Sequence, residues 1–443
     1  MRDSRNNQAP REITIALGLP DNNSGAAALG ISLVKALQRS FPGCKINYIS
    51  HHADPDLVSK AHPFLREACP DVDILPFPLP CVHDTPRGYS RIAKRLRKEW
   101  VQFRAFASLL WLLLPVVGRL NRTCNAIHRS DLLVARGTNI FFDTPGRRWA
   151  RLPGYYAMCF PFLYAWRAGT PYVIYAHSFG PLHDSLRRGL IGFVLRKALL
   201  VLPREPLSRD FVEQELGVPS HRLRLVPDSV FGWLDPESIP PPPKPEAMAA
   251  FGDAPYFCVT IRAGMAEENS HVTAVAGAIR DMLAADERLR CVVVMHCHPL
   301  EGYPGYEDDR ATSRLLVDAV GLPGRVVLVD RALSPSELLA IYRDARFVAG
   351  MRLHSVILSI VAGTPALAIS YWGNKTAGIM KMAGLEHLLF DFRNVDRTAL
   401  ADAMRRLADD NAAERARVAG VRDRLHRQAL ETPELVRDAW LAR

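Results

Sequence analysis

The sequence predicts an α/β protein built from two Rossmann-like domains that face each other across a cleft. Three observations predict it. Short apolar, β-rich runs alternate with helical stretches along most of the chain, the pattern of parallel βα units. At 443 residues the chain is too long for one ordinary core. The alternation breaks once, at IPPPPKPEA (239–247), and then restarts. Four consecutive prolines continue neither a helix nor a central strand and make a semi-rigid spacer. The expected organisation is a first domain over 1–238, a proline-rich linker over 239–247 and a second domain over 248–395. An Ala- and Arg-rich tail, 396–443, reads as exposed helices packing back across the first domain.

In the first half, EITIALGLP (12–20) reads as a strand, NNSGAAALGISLVKALQRSF (22–41) as a loop opening a helix, and KINYISH (45–51) as the next strand. DILPFPL, DLLVARGTN and PYVIYAHSFGP are further strand candidates. VLPREPLSRDFVEQELG reads as a strand tip running into a helix, and RLRLVPDSVF (222–231) as another strand. Beyond the prolines come YFCVTIR (256–262), CVVVMHCHP (291–299), RVVLVD (325–330), ARFVAG (345–350) and PALAISYW (365–372), with helices such as SPSELLAIYRDA (334–345) between them. In such open sheets ligands collect at the carboxyl ends of the strands.

Composition narrows the function. The hydrophobic fraction of 48% and charged fraction of 23% are those of a soluble globular protein, and the net charge of +10 favours anionic partners. The basic residues are scattered, with no helix-turn-helix, zinc-finger or aromatic RNA-binding signature, so nucleic acid is not expected. Eight cysteines at irregular intervals, none in a CxxC pair, read as reduced thiols of a cytoplasmic protein. The N-terminal MRDSRNNQAPRE has no apolar core of a secretory signal. Neither GxGxxG nor GxxxxGK[ST] occurs, which removes the best support for dinucleotide binding and nucleotide hydrolysis.

The candidate chemistry sits where strands end. Arg262 closes YFCVTIR; His296 and His298 close CVVVMHCH; Arg352 and His354 follow ARFVAGM; Asn374 and Lys375 follow PALAISYW. Arg352 and His354 pose a physical question, because basic side chains at the mouth of a buried run cost desolvation unless a buried carboxylate or an anionic ligand pairs with them. Two arginines and a lysine can grip a carboxylate and a phosphate, and a histidine can move a proton near neutrality. An arginine at one strand end is ordinarily a surface or domain-contact ion pair; three such ends in one domain favour a site. His296 and His298 read as packing and hydrogen-bonding residues, and HCH matches no familiar zinc spacing, so no metal is expected. In the first half, the loop Asp21 to Gly25 offers Asn22, Asn23 and backbone amides at a helix start. That surface suits sugar or phosphate, or is simply a helix cap.

With these pieces placed, the sequence resembles the polysaccharide pyruvyl transferase family. The likeness is strongest over 351–385, where Arg352, His354, Gly363-Thr364-Pro365, Tyr371 and Lys375 fall in the family's order. SFGP (178–181), PREPLSRDFVEQELG (203–217), VPDSVF (226–231) and TIRAG (260–264) resemble its other segments, and the similarity runs in order over roughly 12–390. The first loop departs from the family's N-x-G-D, since Ala26 follows Asn23-Ser24-Gly25, and the region around 80–150 matches little.

The resemblance implies transfer of pyruvate from phosphoenolpyruvate to a sugar of a cell-surface polysaccharide or its lipid-linked precursor, forming a cyclic ketal without cofactor or metal. It implies Arg262, Arg352, Leu353 and Lys375 on the donor and His354 with Arg352 in catalysis. The second domain becomes the donor side and the first the acceptor side, with Asn22, Asn23, Gly25, Ser178, Arg204 and Glu205 lining the acceptor wall. Pairing of Arg204 within its own neighbourhood stands as the structural alternative.

Two rival readings remain. Facing Rossmann-like domains, the GT-B arrangement, equally suit a nucleotide-sugar glycosyltransferase, and a non-catalytic carbohydrate-binding or assembly protein could keep the fold. Finally, RGYSRIAKRLRKEWVQFRAFASLLWLLL (87–114) couples a basic stretch to an apolar one. The expectation is a buried interdomain helix with a solvated basic face. The alternative is peripheral contact with an anionic membrane, at the inner face of the plasma membrane.

Overall fold

The computed structural model describes residues 9–80, 90–143, 152–233, 244–262, 270–300, 308–371 and 375–443. The α/β architecture of two domains read from the sequence is the one present. The first sheet contains β1 (Glu12–Gly18), β2 (Lys45–Ser50), β3 (Asp73–Leu75), β4 (Leu132–Ala135), β5 (Tyr172–His177) and β6 (Leu200–Pro203), in the order β3-β2-β1-β4-β5-β6. The second contains β7 (Tyr256–Thr260), β8 (Arg290–Val294), β9 (Val326–Val329), β10 (Val348–Gly350), β11 (Ala366–Ser370) and β12 (Leu389–Asp391), ordered β12-β11-β10-β7-β8-β9. Every neighbouring pair is parallel. Apart from the edge strands β9 and β12, the strands are largely buried on both faces, as continuous Val/Ile/Leu runs require.

Both orders reverse at one place, between β1 and β4 in the first sheet and between β7 and β10 in the second. Connections leave these neighbours toward opposite faces, and a crevice opens at their carboxyl ends. The residues that follow β1, β4, β7 and β10 therefore face the cleft: the loop to Gly25, Arg136, Arg262, and Arg352 with His354. The fold alone brings Arg262 and Arg352 to one switch point although they are far apart in sequence.

Segment 222–231, expected as a strand, is not one. It forms two 3-10 turns, Ser220–Arg222 and Ser229–Gly232, with an isolated bridge from Leu223 to Val201. Pro227 has no amide to donate to a ladder, and the Asp228 carboxylate accepts from Val230 N at 2.9 Å, closing the turn locally. The short edge strand β12 had no counterpart in the sequence reading. Of the proline spacer, 239–243 lie outside the described residues, as do Asn374 and Cys81. The other cysteines are free thiols.

The tail forms helices Arg397–Asp409 and Asn411–Leu441. The second straddles both domains. Near its start Arg415 donates to the carbonyls of Arg343 and Ala345, at 3.1 and 2.6 Å. Farther along, His426 meets the Phe231 carbonyl at 2.8 Å and Glu434 accepts from Ser40 Oγ at 2.9 Å.

The segment around 87–114 overturns its expectation. Helix Arg91–Ala107 lies outside helix Leu152–Ala168 of the first domain, not between domains, and residues 87–89 lie outside the described residues. Only the side bearing Val101 is buried, while Ile92, Leu96, Trp100, Phe103 and Phe106 are 50 to 73% exposed. No helix of the described residues is long and apolar enough to cross a membrane.

Candidate active site

Two helix starts meet across the cleft. Helix Ser24–Ser40 follows β1 and is capped by Asn23, whose side chain accepts from Gly25 N and Ala26 N at 3.0 and 3.2 Å. Helix Leu353–Val361 follows β10, with Arg352 at its cap position. The first turn of the second helix presses against the first turn of the other. A methyl group on Gly25 would stand 2.5 Å from Cγ and Nδ1 of His354, so only glycine admits the imidazole. The amides at the start of helix Ser24–Ser40 are taken up by Asn23 and the His296 carbonyl, but both helices bring the positive ends of their dipoles together, which makes the place around His354 favourable to an anion.

Arg352 is answered from inside the protein. Its guanidinium forms a buried pair with Asp309, donating from Nη2 to Oδ1 and from Nε to Oδ2, the latter at 3.2 Å. Asp309 Oδ2 also accepts from the amides of His296 and Cys297, at 3.3 and 3.0 Å. The expectation that Arg352 stands as a cation awaiting a ligand gives way to a structural pair fixing the loop after β8 against the start of helix Leu353–Val361. A buried arginine is stable only with such a partner. Leu353 is buried in the second domain's core.

His354 has a different setting. Its side chain is 16% exposed, and Nε2 lies 3.8 Å from Asp228 Oδ2. Among the described residues that nitrogen has no hydrogen-bond partner. Burial holds its pKa well below the usual histidine range, and Arg204, Lys375 and Arg136 add positive potential in the same direction. The imidazole is therefore held in its neutral form at neutral pH. Arg204 donates to Asp228 Oδ2 at 2.6 Å from Nη1 and to Ser178 Oγ at 2.7 Å from Nε. Arg136 donates to the carbonyls of Leu17 and Ala26 at 3.1 and 2.5 Å. No hydrogen-bond partner for its Nη2 is present among the described residues.

On the second domain's edge, the Arg262 guanidinium lies 4.1 Å from the ring centroid of Tyr371. Lys375 Nζ donates to the Tyr371 hydroxyl at 3.0 Å. The positive charge of Lys375 also reaches His354, and Arg262 and Lys375 share the Tyr371 ring at this edge.

The first-domain candidates divide. Ser178 and Arg204 are buried with Asp228 behind His354. Asn22 and Asn23 depart from the acceptor role expected of them. Asn22 Nδ2 donates to the His298 carbonyl at 2.7 Å, its own carbonyl accepts from His298 N at 2.8 Å, and Asn23 bridges Cys297. With the cap at Asn23 these amides are occupied, so the loop joins the domains. Glu205 is fully buried, caps helix Pro206–Gln214 through Ser208 N at 2.9 Å, and packs against Gly378 of the other domain. Burial pushes its carboxyl pKa upward. It is a structural cap rather than a group lining the acceptor wall. His296 meets Tyr342 Oη at 2.5 Å, a packing and hydrogen-bonding role. Among the described residues no cluster of His, Cys, Asp and Glu is placed to hold a metal ion.

Three residues of the site were not singled out from sequence. Arg136 carried the same signal as Arg262, an arginine closing an apolar strand, in DLLVARGTN. Asp228 stood inside VPDSVF. Asp309, in the acidic run EDDR, had no local signal, because its partner lies 43 residues away.

A family model described as polysaccharide pyruvyl transferase matches residues 23–373, which include Gly25, Arg136, Ser178, Arg204, Asp228, Arg262, Asp309, Arg352 and His354. The amylovoran biosynthesis protein AmsJ of Erwinia amylovora is 23% identical over 328 residues, 70% of this chain and 74% of AmsJ. Among solved structures, HepE of Anabaena in complex with UDP and glucose is similar with a TM-score of 0.55 at 14% identity, covering 97% of this chain and 98% of HepE. A UDP-N-acetylglucosamine 2-epimerase structure from Listeria monocytogenes gives 0.57 at 13% identity, covering 93% and 91%. At such identities these structures speak for the fold, two facing α/β domains, and not for a donor. The family match spans most of the chain and both walls of the cleft, and on that ground the chain belongs to the polysaccharide pyruvyl transferase family.

Proposed function

We propose that this transferase moves the pyruvyl group of phosphoenolpyruvate onto a sugar of an exopolysaccharide or of its lipid-linked precursor, closing a ketal across two hydroxyls. With a lipid-linked acceptor the reaction takes place at the inner face of the plasma membrane. The observation that carries this reading is a neutral histidine set at two converging helix starts, among Arg136, Arg204 and Lys375. Phosphoenolpyruvate is a small, highly charged anion, and that environment suits it. Lys375 and Arg262 are assigned to its phosphate and carboxylate. Arg352, tied to Asp309, is assigned to positioning the first turn that carries His354.

In the reaction, a sugar hydroxyl adds to C2 of the enol phosphate, losing its proton, while C3 gains a proton and becomes the methyl group. The second hydroxyl then attacks C2, inorganic phosphate leaves with the C–O electron pair, and the proton of that hydroxyl departs with the phosphate. Held neutral, His354 starts in the form that accepts the hydroxyl proton, and Asp228 near Nε2 favours the imidazolium so formed. Fixed cations at the phosphate offset the charge of the leaving group.

The test is incubation with phosphoenolpyruvate and a panel of lipid-linked glycans, following phosphate release and product mass. Pyruvylated glycan is the expected product. Turnover of UDP- or GDP-sugars with phosphoenolpyruvate left intact would hand the cleft to nucleotide-sugar transfer, and binding of a glycan without turnover of either donor would make it a non-catalytic module.

A further inference from the structure

Helix Arg91–Ala107 is amphipathic in the wrong sense for a body helix. On a helical wheel, Ile92, Leu96, Trp100, Phe103 and Phe106 share one broad face, and that face points away from the protein. The contact with the body is made on the opposite side, through Val101. The apolar surface continues through Leu109, Leu110, Leu113, Leu114, Val116 and Leu120, each exposed. An apolar stripe roughly 20 Å long on the helix alone, plus this continuation, is more than a solvated surface carries without a partner.

Charge selects the partner. Residues 91–122 hold eight Lys and Arg and one acidic residue, Glu99. Arg95 stands exposed at the edge of the apolar face beside Phe106, Lys98 is exposed farther round the helix, and Arg119 and Arg122 are exposed at the far end; Glu99, the one acidic side chain, interrupts the apolar face. A second copy packed isologously on this face would bring like-charged rims together, in a chain already at +10. An anionic lipid surface accepts both features at once, taking the apolar side chains into the headgroup boundary and the basic rim against its charge. None of the helices involved is long enough to span.

We infer that residues 91–120 form a docking surface for an anionic phospholipid bilayer, on which the protein lies peripherally. The surface belongs to the first domain, where helix Arg91–Ala107 packs on helix Leu152–Ala168. A membrane that holds the enzyme there is also the one that carries a lipid-linked sugar. The inference draws its purpose from the proposed function but its evidence from this surface alone.

The experiment is sedimentation of the full chain with phosphatidylcholine vesicles with and without phosphatidylglycerol, at low and high salt. The wild type should sediment with the anionic vesicles and not with the neutral ones, and salt should weaken the binding. Leu96→Asp with Phe103→Asp should lower the partition on the order of a hundredfold, about tenfold for each large side chain withheld from the interface. Arg95→Glu with Lys98→Glu should remove the dependence on anionic lipid. Both pairs are surface positions, and thermal melting checks that the variants fold. Absence of binding to phosphatidylglycerol vesicles at low salt, or binding equal in all three proteins, overturns the inference. So does concentration-dependent dimerisation abolished by the Leu96→Asp, Phe103→Asp pair, which would assign the face to a second copy. Phosphoenolpyruvate turnover on a water-soluble glycan is measured alongside. Turnover without vesicle binding removes only the docking, and vesicle binding without turnover removes only the proposed reaction.

Discussion

The two walls of the cleft use one device to different ends. Each presents an arginine from a strand end paired with a buried aspartate: Arg204 with Asp228 on the first wall, Arg352 with Asp309 on the second. Asp309 is saturated, holding a guanidinium and two backbone amides, so its pair is a rivet. Asp228 also holds a guanidinium and an amide, but one of its oxygens still faces His354. The same ion pair thus braces the second wall in one case and sits beside the proposed proton-transfer histidine in the other, and the distinction lies in what the second lone pairs of the carboxylate meet.

The largest effect is expected at the histidine beside the first pair. His354→Ala should lower pyruvyl transfer by about a thousandfold, the scale of a lost proton-transfer group, with the melting temperature retained. Activity within tenfold of wild type would dissolve the distinction between the walls.

Arg352→Ala should act through stability, costing about 3–5 kcal/mol in denaturant unfolding because it strands Asp309 in the interior. Arg352→Ala with Asp309→Ala should recover part of that loss. Full stability with lost phosphoenolpyruvate affinity would instead make Arg352 a ligand-binding cation. Gly25→Ala should cost about a hundredfold in turnover, since a methyl group cannot share space with the His354 ring and the imidazole must move. An unchanged rate would show the ring free to re-seat.

Acid should weaken the fold. His177, His296 and His354 are all held below their ordinary pKa by burial, His177 to about 3. Above pH 6.5 these residues are neutral folded and unfolded and contribute no slope. Below it the unfolded chain takes up protons that the folded chain refuses, so stability falls by about 1.4 kcal/mol per pH unit for each such histidine. Denaturation curves between pH 7 and 5 should show this slope, reduced by one proton in His177→Gln. Smallest of all, Asn23→Ala should cost about 1 kcal/mol through the lost cap, without abolishing turnover. A complete loss of activity would return that loop to the acceptor site.

The fold was legible because burial on both faces of a parallel strand writes an uninterrupted apolar run, and the prolines mark where one sheet gives way to the next. The segment ending in VPDSVF misled because its apolar spacing is a strand's while Pro227 and Asp228 set a turn. In the site, Arg262, His354 and Lys375 were visible as polar residues at strand ends. The partner of Arg352 was not, since a buried pair is settled by which distant loop folds over it. Nor could the sequence show Asn22 and Asn23 used as interdomain connectors, because a helix cap looks the same whether its remaining groups face water or another domain. Helix Arg91–Ala107 was misread for a related reason: amphipathicity tells that a helix has two faces, not which one the body takes.

The long helix Asn411–Leu441 has a mechanical consequence. At about 46 Å it acts as a splint fastened at one end to the carbonyls of Arg343 and Ala345 and at the other to Phe231 and Ser40. Any gaping of the two halves must either unfasten one of those ends or flex the rod. Pro433, which withdraws one amide from the ladder within it, is the place where the rod is weakest. Opening of the cleft is thereby coupled to the integrity of a helix that belongs to neither sheet.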